Sequence, residues 1–437
     1  FAEKKRPRRD VMYSFIPRFL QFDGFETRDI RENHTDGRVD IDLHRRRDKP
    51  LVCHKCHAKL HSKSGQYRIT LKHLPIMELA CFLHIWRWKG HCPSCKKIRS
   101  EHLDLVACES PHLTKDFSWW LGRLCEISAV GRAAELSEVG KMTAWRVDFK
   151  RMQIMLKYYK IPKVTHISVD EVYARRKGPK GESRNKKFFT VITDLKTHRV
   201  IWVSESRDKQ ALDEFFKIIG EKACKKIKVV AMDQHEPYRS SVKEHCRNAK
   251  VVWDRFHLMQ SFNEAANEVR KDIAENIDKQ SPLKPHLQGK YRFLFLKKAA
   301  HRTPDEKQHI DEVASQNFWM MRLELIKERL YTFFDERNKD IAWKIFDEIG
   351  DWIHQAGLVP LIKWWDNLEK NWDTLQNYFD FRVTTNLSEG INNVIKTLKR
   401  RAYGYRNMNY FRLKIMQICG YLNSRYINSM DWLLYNQ

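Results

Sequence analysis

The sequence predicts a multidomain α/β protein, and three stretches of its 437 residues lead to that fold class. Two Cys-x-x-Cys pairs near the N-terminus are typical of a small metal-binding module. Short apolar strands then alternate with helices, which is the pattern of an open sheet covered by helices. A long block with Lys, Glu, Trp and Leu at helical spacing follows. A chain of this length exceeds a single ordinary core, so roughly two to four domains are expected.

The charge balance is strongly positive, because 81 Lys and Arg face 55 Asp and Glu and the net charge is +26. A field of that sign attracts polyanions, of which nucleic acid is the usual one, although a soluble protein that is merely basic is the alternative. Residues 1–50 contribute the clusters RPRR and HRRRDK, which could contact phosphates but are more often solvated tails. No apolar run of about 18 residues is present, so the sequence predicts no membrane span.

A zinc-binding module is predicted at residues 51–110, where Cys53 with Cys56 and Cys92 with Cys95 form two knuckles. Two thiolates from each knuckle, brought together by a small sheet, would form a tetrahedral sulfur site that suits structural Zn²⁺. A thiol redox pair is the alternative, and it is disfavoured because the sequence contains two such pairs.

A helix-turn-helix is predicted within residues 111–160, which we expect to form a DNA-binding domain. One helix ends at Leu136, Gly140 permits the turn, and Lys141–Lys150 form the second helix. Such a second helix can enter the major groove with its exposed face. On or near that face the sequence places Lys141, Thr143, Arg146, Lys150 and Arg151. A plain structural hairpin is the alternative.

Residues 161–257 predict the first part of a ribonuclease H-like core, in which three strands joined by short turns precede alternating helices and strands. In that plan the first strand is central and the fourth pairs parallel beside it, so Asp170 and Asp233 end neighbouring strands at one edge. Two close carboxylates repel each other unless a cation lies between them, and oxygen ligands suit Mg²⁺ or Mn²⁺. For either residue alone, a strand-end cap is the alternative. Asp254 and His257 follow the last strand, where they could orient the carboxylates or pack against the sheet.

An all-helical insertion is predicted at residues 258–375, and residues 376–437 return the chain to the core. The latter stretch begins with a helix whose C-terminal end is basic. It continues into RRAYGYRNMNYFRLK, where aromatic residues alternate with cations as on a nucleic-acid-binding surface. The basic residues that we expect to contact DNA are Lys396, Lys399, Arg400 and Arg401. A solvated charged helix is the alternative.

The order of these motifs resembles the ISL-three family of bacterial insertion-sequence transposases. The resemblance extends from about Cys53 onward, and its most specific parts are the paired knuckles and the block EGINNVIK followed by KRRAYGYRN. It implies a DDE-type core with a ribonuclease H fold and a helical insertion, whose catalytic and metal-binding triad falls on Asp170, Asp233 and Glu389. For Glu389 the resemblance carries most of the weight, because spacing alone does not select it. Asn393, which follows on the same helix, is expected to support the site.

The resemblance implies a transposase that binds double-stranded DNA at terminal inverted repeats and at a target, and that catalyses Mg²⁺-dependent strand cleavage and strand transfer. It further implies a homodimer or higher assembly on DNA and a cytoplasmic, nucleoid-associated location. A non-catalytic DNA-binding regulator and a metal-dependent nuclease without strand transfer are the alternatives. The basic stretch after Asp170 is expected to contact DNA, and Glu171 is expected to face away from the metal because adjacent strand residues face opposite sides.

Overall fold

The computed structural model describes residues 21–174, 183–383 and 386–425. The chain divides into two compact units, of which the first comprises residues up to Tyr159 together with those from Tyr421 onward, and the second comprises Lys160–Gly420. The RPRR cluster and most of the basic stretch after Asp170 lie outside the described residues. Within the described part, no helix combines the length and the apolar character that crossing a membrane requires.

The first unit is built on a five-stranded sheet. Four of its strands have the order β1-β2-β4-β3, and the fifth, β5, pairs with β4. Its strands are β1 (Phe25–Asn33), β2 (Arg38–Arg45), β3 (Lys63–Ile76), β4 (Leu79–Cys92) and β5 (Lys97–Ser100). Strands β3 and β4 form a long antiparallel hairpin. Alternate side chains such as Ile41, Leu71 and Leu83 point into one core and are fully buried.

Strands β1 and β2 correct the expectation that residues 1–50 are a solvated charged segment. In β2 the buried residues Val39, Ile41 and Leu43 alternate with two aspartates. This alternation is a strand signal with a period of two, which the high local charge obscured. Within the HRRRDK cluster, Arg45 donates a 2.7 Å hydrogen bond to the buried Glu101 and is therefore occupied inside the fold.

Three helices follow the sheet within the first unit, namely α1 (Lys115–Ile127), α2 (Val130–Leu136) and α3 (Lys141–Tyr158). The hydroxyl of Thr114 accepts a hydrogen bond from the amide of Phe117 and thereby caps α1. Buried residues Leu121, Ala134 and Val147, one from each helix, share one apolar core. Helices α2 and α3 lie where the helix-turn-helix was predicted, and their use in reading DNA stays a prediction.

Arg151 is a correction, because the sequence placed it on the exposed face of α3 and the structure buries it completely. Its guanidinium lies 4.3 Å from the Trp119 ring and donates a 2.7 Å hydrogen bond to Glu126. Gly122 makes room for this arrangement, since a Cβ atom there would lie 2.4 Å from Cδ of Arg151. The arginine therefore ties α3 to α1 and is not available to DNA.

The second unit contains a mixed five-stranded sheet with the order β10-β9-β6-β7-β8. Its strands are β6 (His166–Tyr173), β7 (Phe188–Asp194), β8 (Arg199–Glu205), β9 (Val229–Met232) and β10 (Lys250–Trp253). Strands β6, β9 and β10 are parallel, whereas β7 and β8 continue the sheet antiparallel on the other side of β6. The connections contain α4 (Lys209–Ile219), α5 (Glu221–Cys224) and α6 (Glu236–His245). The first strand is thus central and pairs parallel with the fourth, as the order of elements predicts.

After β10, the regular structure of the second unit consists of helices in the part of the chain that the structure describes. They are α7 (Arg255–Asn276), α8 (Pro304–Gln316), α9 (Phe318–Asp335), α10 (Lys339–Ala356), α11 (Val359–Lys370), α12 (Trp372–Leu375), α13 (Asn377–Phe381), α14 (Asn386–Arg401) and α15 (Met408–Ile418). Their aromatic residues pack inside, as in the stacked pair of Phe346 and Trp365 with ring centroids 4.1 Å apart. The chain after α15 returns to the sheet, where the amide of Val200 donates a 3.0 Å hydrogen bond to the carbonyl of Cys419.

Candidate active site

The parallel strands bring acidic residues to one edge of the second sheet. The last paired residues of β6 and β9 are Ser168 and Ala231, and Asp170 and Asp233 each lie two residues beyond them. On the next strand, Asp254 follows Trp253, the residue that pairs with Met232 just before Asp233. Asp233 and Asp254 therefore follow the carboxyl ends of β9 and β10. The sequence predicted that Asp170 ends its strand as well, but it lies within β6, which continues to Tyr173 because its pairing with β7 extends that far. Parallel pairing in register still brings the three residues to the same level of the sheet.

The carboxylate of Asp170 is held in place by two hydrogen bonds. Its Oδ1 accepts a 2.7 Å bond from the backbone amide of Glu171. Its Oδ2 accepts a 2.7 Å bond from Nδ2 of Asn392, which lies on α14. This second contact connects α14 to the central strand of the sheet, so the residues of α14 are positioned directly at the acidic edge.

A cavity of about 570 Å³ lies between β6 and α14, and Asp170 and Glu389 both line it. Glu389 is in the first turn of α14 and is exposed. Besides Ile395, four polar or charged residues of this helix line the same cavity, so that one end of the cavity carries carboxylate and amide groups and the other end is basic. These residues are Asn392, Lys396, Lys399 and Arg400. Their spacing from Glu389 is that of one helical face.

Asp233 lines a second cavity, of about 260 Å³. The two cavities share Asp254, His257 and Gln260, so they adjoin each other at this group of side chains. Among the described residues, Asp170, Asp233 and Glu389 do not form a set whose ligand oxygens all lie within 4.8 Å of one another.

Asp233 is in an environment that opposes its negative charge. Its Oδ1 atom is buried and has no hydrogen-bond partner among the described residues. Burial raises the pKa of this carboxyl above its ordinary value and Asp170 adds to that effect, whereas His257 and His235 oppose it. A buried carboxylate oxygen with no donor, next to a second carboxylate, is the chemical setting that a divalent cation relieves.

Asp254 and His257 occupy the positions between the two cavities. Asp254 is buried, and its Oδ1 accepts a 2.8 Å bond from the amide of Phe256, which caps α7. His257 Nε2 lies 3.9 Å from Oδ1 of Asp170 and 3.8 Å from Oδ2 of Asp254. Their predicted role in orienting the carboxylates agrees with this position and stays a prediction.

Glu171 also borders the first cavity, contrary to the expectation that it faces away from the site. Its Oε1 is buried and has no hydrogen-bond partner among the described residues, as is the case for Oδ1 of Asp233. Its Oε2 accepts a 3.1 Å bond from Arg207, and its Oε1 lies 3.8 Å from Nδ1 of His235. Burial raises the pKa of Glu171, and the nearby charge of Asp233 raises it further. The contact with Arg207 gives Glu171 a partner of its own within the protein.

The supporting residue on α14 is Asn392, whereas the sequence selected Asn393. Asn393 is exposed and does not line the first cavity, and Asn392 bonds to Asp170. The sequence contains a signal for this choice, because Asn392 is three residues from Glu389 and shares its helical face with the lining cations. Which of two adjacent asparagines faces the sheet depends on the rotation of the helix about its axis.

The four predicted cysteines come together in the first unit, with all four sulfur atoms within 4.8 Å of one another. Measured Sγ–Sγ distances are 3.3 Å for Cys56–Cys92, 3.5 Å for Cys56–Cys95 and 4.0 Å for Cys53–Cys95. A tetrahedral Zn²⁺ ion with bonds of about 2.3 Å places its sulfur ligands about 3.8 Å apart. The cluster therefore has a geometry compatible with zinc.

The acidity of these thiols also favours a cation. Although burial opposes ionisation of Cys53, hydrogen bonds from the backbone amides of Lys55 and Cys56 lower the pKa of its thiol to about 7. The side chain of Cys56 and burial raise the pKa of Cys95 to about 12. Ionisation of further sulfurs beside Cys53 is thus disfavoured in the protein alone, and a bound divalent cation would offset the repulsion between thiolates.

The remaining residues predicted to contact DNA differ in exposure. Lys141, Arg146 and Lys150 are exposed on α3, whereas Thr143 is half-buried. Arg401 is exposed at the end of α14 and is not part of the cavity lining.

An acidic sheet edge beside a basic helical face is typical of proteins that act on nucleic acid. Residues 167–415 match a family described as transposase, and this match covers more than half of the chain. The protein belongs to the ISL-three family of transposases.

Two groups of relatives agree with this assignment. The chain is similar to the transposase for insertion sequence element IS1001 of Bordetella parapertussis, with 25% identity over 368 residues that cover 84% of this chain and 88% of the relative. It is also similar to the transposase for insertion sequence element IS1557 from two strains of Mycobacterium tuberculosis, CDC 1551 and H37Rv. Each of these is 21% identical over 313 residues, which cover 66% of this chain and 67% of the relative.

Proposed function

We propose that this transposase binds the ends of its DNA element and cuts and joins DNA strands through a metal-dependent triad of Asp170, Asp233 and Glu389. The observation that carries the proposal is the placement of two carboxylates at matched positions on neighbouring parallel strands, together with a helix that presents Glu389 to Asp170 across one cavity. We interpret the mixed sheet with its central first strand as a ribonuclease H-like core, and the helices from α7 to α13 as an insertion into it.

The residues present fit a pair of divalent cations such as Mg²⁺ or Mn²⁺. The donors are carboxylate oxygens, and the unpartnered Oδ1 of Asp233 is one of them. Asp170 lies on the strand next to Asp233 and shares its cavity with Glu389, so it is the carboxylate that adjoins both other members of the triad. When bound, such ions would lower the pKa of a water or DNA hydroxyl and would stabilise the departing 3′ oxygen.

The protein's own residues orient these ligands and the DNA. Asn392 donates a hydrogen bond to Oδ2 of Asp170 and thereby fixes the orientation of the carboxylate. Lys396, Lys399 and Arg400 lie along the same face of α14, where they would hold the phosphates that flank the scissile bond. Lys399 is itself anchored, because its Nζ donates a 3.1 Å bond to the carbonyl of Tyr173 and lies over the ring of that residue.

No side chain of this site needs to form a covalent bond to DNA, since the attacking oxygen comes from water or from a DNA 3′-hydroxyl. The exposed face of α3, with Lys141, Arg146 and Lys150, is the part of the first unit that we expect to read the element ends. We expect the protein to act as a homodimer or a larger assembly on DNA, because two ends must be cut together.

The test uses the full chain and the DNA that bounds its gene, searched for inverted repeats. A labelled duplex that carries one repeat and its flank is incubated with the protein and Mg²⁺, together with a supercoiled plasmid as target. We expect a cut at the repeat boundary and covalent joining of the labelled strand to the plasmid, and neither product when EDTA replaces Mg²⁺. The control duplex has the same composition with the repeat scrambled.

The products also separate the alternatives. Cutting without joining would identify a nuclease, and specific binding without cutting would identify a regulator. Either result would contradict the proposal if it is obtained in the presence of Mg²⁺ and with duplexes that carry each of the two repeats.

Arg146 and Arg400 are expected to contribute to DNA binding in different ways. Arg146→Ala should reduce the preference for the repeat over scrambled DNA by about 1–3 kcal/mol if the guanidinium makes a good base contact. Arg400→Ala should weaken binding to both duplexes alike and reduce the slope of log affinity against log salt by about 1. Fluorescence anisotropy with both duplexes across a salt series measures both effects. If Arg146→Ala weakened both duplexes equally, α3 would be a phosphate-binding or structural helix.

A further inference from the structure

Tyr403 is the most exposed large hydrophobic side chain in the described part of the protein, with a relative accessibility of 101%. It follows α14 within the motif RRAYGYRN, which contains a second tyrosine two positions later. That second residue, Tyr405, is anchored, since its ring stacks on Phe411 with centroids 4.3 Å apart and an interplanar angle of 9°. Of the two tyrosines, one therefore packs into the fold and the other projects into solvent.

The backbone holds Tyr403 in this position. The amide of Gly404 donates to the carbonyl of Lys399 and the amide of Tyr403 donates to that of Arg400, at 2.9 and 3.0 Å. These two bonds form a Schellman motif at the end of α14, in which the residue at the position of Tyr403 is left-handed. Tyr403 has φ of 51° and occupies a place that glycine usually takes. An aromatic residue is disfavoured there, so the ring is presented at a cost to the backbone.

The ring follows the helix that lines the proposed active site, and positively charged residues precede it in the sequence. The preceding turn carries Lys399 and Arg400, which line the cavity with Asp170. Tyr403 lies 14 positions after Glu389 on the same helix and its cap, which is about 21 Å along the axis at 1.5 Å per residue. This length corresponds to about six nucleotides of one strand. DNA that follows the basic face of α14 from the carboxylates therefore reaches the ring.

We propose that Tyr403 stacks on an unpaired base of the DNA bound along α14, and so favours DNA that is opened near the cleavage site. This inference rests on the proposed function. An exposed aromatic ring flanked by cations is the chemistry that binds single-stranded bases, because every base offers a π face while the cations hold its phosphates. A protein partner is a poorer match, since the surroundings of the ring are basic instead of apolar.

The experiment compares two labelled duplexes of one arbitrary sequence, one fully paired and the other with a single-nucleotide bulge. Binding is measured by anisotropy with the full chain and without divalent metal, so that no strand is cut. We expect the wild-type protein to prefer the bulged duplex by about 5- to 150-fold, the range for stacking on one base. Tyr403→Phe should keep this preference, and Tyr403→Gly should reduce it to about one.

Tyr403→Gly also addresses folding, because glycine adopts the left-handed conformation readily. Its melting temperature should equal or exceed that of the wild type. The matched control is Trp319→Ala, which removes an aromatic ring of 49% exposure from α9 and should leave the preference unchanged.

Three results would overturn the inference. If the protein binds both duplexes equally, or if Tyr403→Gly keeps the preference, stacking by Tyr403 is wrong while the proposed function stands. If the protein binds neither duplex at low salt, the proposed function falls as well. If Tyr403→Gly lowers the mass of the assembly that the protein forms in solution without DNA, the ring belongs to an interface between copies of the chain.

Discussion

Asp170→Asn, Asp233→Asn and Glu389→Gln should each reduce Mg²⁺-dependent cleavage by at least about 1,000-fold, which is about 4 kcal/mol in activation free energy. Each change keeps the size of the side chain and removes the charge that a divalent cation requires. Binding to duplex DNA should be largely retained, because the cations of α14 and α3 are untouched. Single-turnover cleavage of a labelled element end, together with anisotropy on the same duplex, measures the two effects separately.

The stability of Asp233→Asn is a control for folding. Burial raises the pKa of Asp233, so the folded protein resists its ionisation. A carboxyl whose pKa is raised on folding lowers stability as the pH rises above its unfolded pKa, and a neutral amide avoids this loss. We therefore expect Asp233→Asn to melt at neutral pH at the same temperature as the metal-free wild type or above it.

A second control comes from the other acidic cluster of this unit. Asp213, Glu244 and His245 lie within 4.8 Å of one another. Their charge is already balanced by Lys209, whose Nζ lies 2.9 Å from Asp213 and 2.6 Å from Glu244. Glu244→Gln should leave cleavage unchanged. Full cleavage by a variant of Asp170, Asp233 or Glu389 would remove that residue from the triad.

Cys53→Ser should reduce the zinc content of the purified protein from about one ion per chain to about none, since three thiolates and a hydroxyl bind zinc poorly. The first unit should also melt at a lower temperature, because the variant lacks the bound cation that would link the two Cys-x-x-Cys knuckles. Elemental analysis of protein prepared without chelator, combined with thermal unfolding, measures both. The structure provides a matched control in Cys81→Ala, because Cys81 is buried in β4 away from the cluster. Wild-type protein without zinc would contradict the prediction.

The parts of the site that follow from local pattern were accessible from the sequence. Asp170 lies in an apolar strand and Asp233 directly follows one, and parallel pairing in register brings residues at matched positions to the same level of the sheet. The cysteine spacing likewise selects all four members of the cluster. In contrast, no local pattern connects Glu389 to the sheet, because a long helical segment separates it from Asp233.

Arg151 shows why a helical pattern alone misjudges exposure. The charge of this residue predicted a solvent-facing position. In the structure, its side chain packs on the Trp119 ring, bonds to the carboxylate of Glu126 and fills the space beside Gly122. Gly122 in the middle of α1 was the available signal, since a glycine inside a helix often marks a close approach of another element. The partner that approaches there could not be known before the packing of α1 against α3.

The hydrogen bond between Asn392 and Asp170 joins residues 222 positions apart, and this separation bears on the synthesis of the protein. Domains tend to fold in order as the chain leaves the ribosome, so the residues of the first unit up to Tyr159 and the strands of the second sheet emerge well before α14. A polypeptide released early, ahead of α14, has the cysteine cluster and α1–α3 but lacks Glu389. Under the proposed function, we expect such a truncated product to bind element ends without cutting them, so that DNA cleavage requires complete translation.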